Sequence, residues 1–108
     1  MKDFQGVIVE ESLIDTNILS EINIISNQNS NKWHIYKVKV SKEDIEKISK
    51  NIKSNKWYAH FWKDKEIIAV FKNKTFTFNY DKKETWNQAI EYGISIGIPK
   101  EQLDFPIG

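Results

Sequence analysis

The sequence contains no cysteine, which excludes disulfides, thiolate catalysis and cysteine-based zinc or iron–sulfur sites. Glycine and proline are scarce, with four and two residues, and no GxGxxG or GK[ST] phosphate-binding pattern occurs. No apolar run approaches the ~18 residues of a membrane span. The N-terminal MKDFQGVIVEES carries acidic residues where a signal peptide needs an apolar stretch. We therefore expect a cytoplasmic domain with no membrane segment.

Arginine is also absent, since all 16 basic residues are lysine. Specific nucleic-acid readers favour the bidentate guanidinium group, so its absence disfavours nucleic acid as a partner. Residues 1–31 hold one lysine and five acids, residues 32–83 hold fourteen lysines and six acids, and residues 84–108 hold one lysine and four acids. The basic middle is either surface balanced by the acidic ends or a footprint for an acidic partner.

The first 40 residues read as strands separated by polar or ambiguous stretches. Residues 6–11 and 32–40 show strand patterns, and the second alternates strictly, with Trp33, Ile35, Lys37 and Lys39 on one face. The segment 16–22 is ambiguous between a short helix and a loop, and 22–25 is a weak strand. The polar SNQNSNK, residues 26–32, predicts a loop.

Two helices are predicted from their start signals. Ser41 and Asp44 form a capping pair for a helix over about 42–53, with Ile45, Ile48 and Ile52 as its apolar stripe. Asp81 is the predicted cap of the second helix, with Glu84 in the capping-box position. Further predictions are a close approach to the sheet at Gly93, a helix stop at Gly97 and Pro99, and a tail docked through Leu103, Phe105 and Ile107.

Three strands joined by two-residue loops, Asp64-Lys65 and Asn73-Lys74, are predicted between the helices. This register places Trp62 opposite Ile67 and Phe71 opposite Phe76. One face of the meander is then almost wholly apolar or aromatic: Tyr58, His60, Trp62, Ile67, Ala69, Phe71, Phe76, Phe78 and Tyr80. The other face grades from apolar to polar: Trp57, Ala59, Phe61, Ile68, Val70, Lys72, Thr75, Thr77 and Asn79.

The predicted architecture is one α+β domain over 1–108, a two-layer sandwich with an antiparallel sheet of five or six strands. The chain order is β-β-β-α-β-β-β-α. Both helices are expected on the apolar face, because their apolar stripes need a surface to bury.

Two candidate sites follow from these faces. Tyr58, His60, Trp62 and Tyr80 share a face and carry polar groups, so they are the candidate ligand-binding residues if the helices leave a pocket there. On the other face, an apolar patch is a candidate interaction surface unless the N-terminal strands or a symmetric partner cover it. That patch comprises Trp57, Phe61, Ile68 and Val70.

Catalytic and metal-binding patterns are absent. The two histidines, His34 and His60, have no acid within three positions and no HxH or HxxxH spacing. No nucleophile elbow occurs. We therefore predict no metal, no cofactor and no catalytic residue, and we favour a non-enzymatic protein.

A lysine-rich nucleic-acid-binding surface is the remaining alternative, since lysines beside exposed aromatic rings can form a stacking platform. Its candidate residues are Lys37, Lys39, Lys56, Lys63, Lys65, Lys72, Lys74, Trp33, Trp57 and Phe61.

In NKWHIYKVKVS, KWYAHFW and AIEYGISIGIPKEQLDF the sequence resembles a small family of uncharacterised bacterial proteins of about this length. The resemblance covers most of residues 6–107 and implies a self-contained cytoplasmic domain of unknown function. It brings no catalytic or binding residues with it. The leading hypothesis is a non-enzymatic protein-interaction module, which binds either a second copy of itself or an unidentified protein. The alternatives are a small-molecule binder or enzyme at the Tyr58/His60/Trp62 face and the nucleic-acid binder.

Overall fold

The computed structural model describes residues 3–30, 32–54 and 56–105. The strands of the sheet are, in chain order, β1 (Phe4–Val9), β2 (Asn23–Ser30), β3 (Trp33–Val40), β4 (Ala59–Lys63), β5 (Glu66–Phe71) and β6 (Lys74–Asn79). The α-helices are α1 (Lys42–Asn51) and α2 (Asn87–Ser95), and short 3-10 helices span Glu10–Ser12, Thr16–Ser20, Lys83–Trp86 and Lys100–Gln102. The α+β sandwich and its predicted chain order are confirmed.

The six strands lie in the order β2-β3-β1-β4-β5-β6, and every neighbouring pair is antiparallel. β1 joins the two halves of the sheet because it pairs with β3 on one side and β4 on the other. β2 and β6 are the edge strands. In the described part of the chain, no helix is long and apolar enough to cross a membrane.

The β4–β5 hairpin has the predicted register. His60 lies opposite Ala69 and Trp62 opposite Ile67. The turn residue Asp64 has a φ of 54°, in the left-handed region that Asp and Asn enter more readily than most residues. Successive side chains therefore point to opposite faces of the sheet, as the sequence indicates.

The predicted register of the β5–β6 hairpin is wrong by two residues. Phe71 lies opposite Lys74, and Phe76 lies opposite Ala69. The turn is formed one position earlier than predicted, so that Asn73 takes the left-handed conformation with a φ of 58°. Because the shift is an even number of residues, every side chain stays on its predicted face.

The prediction that both helices lie on one face is wrong, because α1 and α2 pack on opposite faces of the sheet. The α1 face is the side that carries Phe4, Ile8, Val38, Val40, Phe61 and Ile68. The α2 face is the side that carries Val7, His60, Trp62, Ile67, Ala69 and Phe78. Both sides of β4 and β5 carry apolar residues. Each side must therefore be covered by other elements that shield these residues from water.

The α1 helix begins as the sequence predicts. Ser41 Oγ accepts the amide of Asp44, and the Asp44 carboxylate accepts the amide of Ser41, both at 3.1 Å. This capping box satisfies two backbone donors that the first turn leaves without helical partners. Ile45, Ile48 and Ile52 are buried against the α1 face, so the predicted apolar stripe is confirmed.

The predicted loop over 26–32 is wrong for its first part, because Ser26–Ser30 belongs to β2 and pairs with β3 across a short hairpin. β2 is an edge strand, and its polar residues stay in water while its backbone gains pairing. A bulge between Ile24 and Ser26 interrupts its register. The ambiguous segment before it contains the 3-10 helix Thr16–Ser20.

The start of the second helix differs from the prediction. Asp81 does not cap it, because its carboxylate pairs with the Lys65 ammonium at 2.5 Å. A 3-10 helix over Lys83–Trp86 leads into α2, and no side chain caps either helix.

The C-terminal segment docks onto the α2 face. Leu103 is 4% exposed and Phe105 is fully buried, while Ile107 lies outside the described residues. Gly93 makes room for this segment rather than for the sheet, because a Cβ there would lie 2.6 Å from Leu103 Cδ2. Gly97, with a φ of 97°, ends the helix as predicted.

Gly6→Ala is expected to destabilise the protein by about 1–3 kcal/mol through overpacking. A Cβ at this position of β1 would lie 2.1 Å from Phe61 Cδ1, and Phe61 is fully buried. Denaturant unfolding would measure the change in the free energy of unfolding. Gln5→Ala, the neighbouring position on the other face, is the control and should change stability by less than about 0.5 kcal/mol.

A double-mutant cycle with Phe61→Leu tests whether the loss of stability in Gly6→Ala comes from contact with Phe61. In the Phe61→Leu background, Gly6→Ala should cost clearly less than in the wild type, because the two residues are in contact. Equal costs in both backgrounds would contradict the packing of Phe61 over Gly6.

Candidate functional site

Within the described residues, no helix lies over part of the α2 face. Six strands about 4.8 Å apart make a sheet about 24 Å wide, whereas a helix with its side chains is about 10–12 Å across. α2 and the C-terminal segment pack on β4, β5 and β6. The same face of β1, β3 and β2 therefore remains accessible.

We call this accessible area the open surface. The strand registers place its residues on one face: Gln5, Val7, Val9, Asn23, Ser26, Gln28, Trp33, Ile35, Lys37 and Lys39. All of them are half-buried or exposed. The sequence pattern of β3 correctly placed Trp33, Ile35, Lys37 and Lys39 on one face. It did not predict that this part of the face stays accessible.

The open surface has an apolar floor and a basic margin. Val7, Val9 and Ile35 are half-buried aliphatic residues at its centre, and Lys37 and Lys39 are exposed beside them. Its remaining residues carry amide, hydroxyl or indole groups, and none carries a carboxylate. Its electrostatic character is therefore positive.

Two cavities that share Ile35 indent the open surface. One, of about 310 Å³, lies against the C-terminal segment and is lined by Val9, Trp33, Ile35, Lys56, Trp57, Tyr58 and Gln102. We call it the aromatic cavity. The other, of about 170 Å³, lies beside β2 and is lined by Val7, Ser26, Asn27, Gln28, Ile35 and Lys37. Together they form a groove across the strands.

A larger cavity, of about 500 Å³, lies on the outer side of α2. Ile90, Ile94 and Leu103 line it. Its charged residues are of both signs: Lys83, Lys100, Glu91 and Asp104. These charges oppose one another, so this cavity favours no ligand of either charge.

The predicted ligand-binding residues share the α2 face, but the space above them is filled. Phe105 is fully buried, and its ring lies 5.7 Å from His60 and 5.8 Å from Tyr58. Tyr80 packs against Trp86, and Trp62 against His60. The C-terminal segment thus occupies the pocket that the sequence left open. Of the four residues, Tyr58 also lines the aromatic cavity.

Tyr58 is held as a neutral phenol. Burial raises the pKa of its hydroxyl to about 12, and this hydroxyl donates to the carbonyl of Gln102. The bond ties the C-terminal segment to the start of β4. Tyr58 is therefore a fixed wall of the aromatic cavity rather than a proton donor at neutral pH.

The predicted interaction surface is not accessible, which corrects the sequence interpretation. Phe61 and Val70 are fully buried and Ile68 is 6% exposed, all in the cluster beneath α1. The sequence interpretation placed α1 on the wrong face and named the N-terminal strands or a symmetric partner as the possible cover of this patch, whereas α1 covers it. Trp57 is half-buried, and its ring meets Trp33 edge to face at 5.3 Å.

The candidate nucleic-acid residues do not form one surface. Lys63 pairs with Asp3 at 2.9 Å and Lys65 with Asp81. The Lys72 ammonium donates to the carbonyl of Lys50, while Lys74 lies over the rings of Phe76 and Tyr92. The open surface and its aromatic cavity gather the rest, apart from Phe61: Lys37, Lys39, Lys56, Trp33 and Trp57.

A cluster around His34 was not foreseen from the sequence. The 3-10 helix Glu10–Ser12 brings Glu11 to His34, where the carboxylate lies 2.7 Å from Nδ1 and accepts the His34 amide at 3.0 Å. Glu10 accepts the hydroxyl of Tyr36 at 2.8 Å. More than twenty residues separate the partners, so no local spacing announces them.

Glu10, Glu11 and His34 place ligand atoms within 4.8 Å of one another, a donor set that a divalent cation such as zinc accepts. Both carboxylates already accept protein hydrogen bonds, and the His34 side chain is 51% exposed. We therefore interpret the cluster as an ion pair that holds the Glu10–Ser12 turn against β3.

Comparisons with known proteins found no matching family model, no matching curated protein and no matching solved structure. The resemblance inferred from the sequence patterns stays a prediction. Function is therefore inferred from the geometry of this chain alone.

His34 is expected to titrate above the ordinary histidine pKa of 6.5, because the hydrogen bond to Glu11 favours the imidazolium form. The pKa of Glu11 is lowered by the same bond. The stabilisation by His34 is full below its unfolded-state pKa and is lost as pH rises through the raised folded-state value. The stabilisation by Glu11 is lost as pH falls through its own lowered pKa.

Proton NMR of the imidazole signals would measure this pKa, with His34→Gln to assign the resonance. Glu11→Gln should return the His34 pKa towards 6.5 because it removes the charged acceptor. A His34 pKa that does not respond to this substitution would contradict the ion pair.

Proposed function

We propose that this protein is a non-enzymatic interaction module whose open surface binds an extended, acidic segment of a partner protein. The single observation that carries the proposal is the bare half of the α2 face, with its aliphatic floor, its lysines and its lack of carboxylates. Solvent-exposed apolar area bordered by polar groups is typical of partner surfaces.

The charge of the open surface supports an acidic partner. Lys37 and Lys39 project from alternate positions of β3, on the same face as the aliphatic floor. An extended chain has the matching period, because side chains on one side of a strand repeat every two residues. Carboxylates at two successive positions of that side would face the two lysines. Apolar residues further along the same side of the segment would cover Val7, Val9 and Ile35.

The floor supports a protein partner over a nucleic acid. Single-stranded nucleic acids are held mainly by stacking of successive bases on aromatic rings. On the open surface the exposed ring is Trp33, at one end, and the centre is aliphatic. Aliphatic floors suit apolar side chains of a protein segment.

The polar groups of the open surface support binding rather than catalysis. Lysine ammonium groups, amides and a hydroxyl hold ligands by charge and hydrogen bonds, and the residues of the open surface include no histidine or carboxylate to act as a general acid or base. His34 and Glu11, which form the ion pair described above, lie on the opposite face of the sheet. The cytoplasmic location, bacterial origin and homodimer expected from the sequence stay predictions.

Charge reversal at the two β3 lysines should weaken binding of an acidic partner. The probe is a labelled peptide in which serine occupies every second position, so that two glutamates, two valines and one phenylalanine share one side of the extended chain. Lys37→Glu/Lys39→Glu should lower its affinity by about tenfold, because each reversal costs about 0.7 kcal/mol at an exposed site and tenfold corresponds to about 1.4 kcal/mol. Fluorescence anisotropy at two salt concentrations would measure the affinity, which should fall as salt rises.

Lys47→Glu/Lys53→Glu is the matched control, since both side chains are exposed and lie outside the open surface. It makes the same change in net charge and should leave the affinity nearly unchanged. Equal losses in both variants would show non-specific attraction and sink the proposal. Tighter binding of oligo(dT), lost in Lys37→Glu/Lys39→Glu alone, would assign the surface to nucleic acid instead.

A further inference from the structure

The aromatic cavity is a feature of the open surface that combines ring walls with a charge. Trp33 and Trp57 form one wall, with their rings nearly perpendicular at 82°. Tyr58 forms another, and Val9 and Ile35 form the floor. Its volume of about 310 Å³ is at the small end of ligand pockets, a size that suits one large side chain.

The walls are held in place before any ligand binds. The Tyr58 ring contacts Phe71 and Phe105, both with ring centroids at 5.8 Å, and its hydroxyl is bonded to the Gln102 carbonyl. Trp33 is 41% exposed, yet Trp57 fixes the direction of its ring. A ligand entering a preformed cavity loses less free energy to ordering than one entering a mobile surface.

Lys56 supplies a positive charge at the cavity. Its backbone has a φ of 64°, and its amide donates to the carbonyl of Ile96 at 3.2 Å. Its aliphatic stem lies over Gly97, where an added Cβ would be 3.3 Å from Lys56 Cγ. Glycine at the end of α2 therefore gives this lysine its place beside the aromatic walls.

We propose that the aromatic cavity is the anchor point for the partner segment and takes one aromatic side chain, with a neighbouring carboxylate facing Lys56. This inference rests on the proposed function and adds a sequence requirement to it. Rings favour edge-to-face contacts of the kind that the perpendicular tryptophans offer. Buried aromatic side chains in central pockets also carry much of the energy of protein interfaces.

Two peptides that differ at one position test the anchor. The first is the peptide described above, with its glutamates, valines and phenylalanine on one side, and the second has alanine in place of phenylalanine. The wild-type protein should bind the phenylalanine peptide about tenfold or more tightly than the alanine peptide. Calorimetry would give both affinities.

Val9→Phe fills the cavity and should remove most of the difference between the two peptides. Its affinity for the alanine peptide should fall much less than its affinity for the phenylalanine peptide, because Lys37 and Lys39 are untouched. Trp33→Ala is a second variant, at a position exposed enough to tolerate the change, and should also reduce the preference. Circular dichroism would verify that both variants are folded.

Lys56→Gln tests the charge. It should weaken binding of the phenylalanine peptide severalfold when glutamate follows phenylalanine, and have little effect when glutamine follows it.

A spectroscopic readout is the tryptophan emission, which should shift to shorter wavelength when the phenylalanine peptide shields Trp33. That shift should be smaller in Trp33→Phe, because Trp57 is then the one tryptophan left in the cavity wall.

The outcomes separate the anchor from the proposed function. If the wild-type protein binds both peptides equally and Lys37→Glu/Lys39→Glu weakens both, the module stands and the anchor is overturned. If the preference for phenylalanine persists in Val9→Phe and Trp33→Ala, the side chain binds elsewhere and the anchor is again overturned. If neither peptide binds, the proposed function fails and the anchor fails with it.

Discussion

The alternation of side chains across β4 and β5 is the constraint on which the rest of the structure depends. Phe61 and Ile68 point to one side of the sheet, and Trp62 and Ile67 to the other. Because all four are buried, neither side can face water. The chain meets this requirement with α1 on one face and α2 with the C-terminal segment on the other. A shift of one residue in this hairpin would exchange the two sets and mismatch both cores.

The need to cover apolar side chains also explains which part of the sheet stays accessible. On the α1 face, the segment between β1 and β2 adds Leu13 and Ile18 to the cover that α1 provides. On the α2 face, the cover is concentrated where the aromatic side chains lie, on β4, β5 and β6. Apart from Trp33 at one end, the strands β1, β3 and β2 carry smaller aliphatic residues, polar residues and lysines on that side. The open surface is thus the part of the sheet with least apolar area to bury, and it is the part available to a partner.

The C-terminal segment links the core to the open surface. Phe105 closes the core over His60 and Tyr58, while Gln102, only three residues earlier, lines the aromatic cavity. The Tyr58 hydroxyl joins the two by its bond to the Gln102 carbonyl. Binding at the cavity would therefore act on a segment that also holds the α2 core together.

Local patterns in the sequence determined most of the secondary elements, although not β2, and the face of each residue in β3 and in the meander. Periodicity located β3 and the meander, the Ser41–Asp44 pair located the start of α1, and Gly97 the end of α2. These features depend on residues close in the chain, so their physical cause is visible in the sequence. The face to which a side chain points also depends on local alternation, because the two-residue error in the predicted β5–β6 register left every side chain on its predicted face.

Only the tertiary structure decided which face of the sheet each helix covers. Both faces of β4 and β5 are apolar, so the local pattern of these strands does not show which helix packs on which face. Three other features were also decided only by the tertiary structure. They are the pairing of Glu11 with His34, the position of Phe105 in the pocket predicted beside His60, and the cavity between Trp33, Trp57 and Gln102. Each of these joins residues more than twenty positions apart, and the free energy that selects such contacts comes from packing of the whole chain.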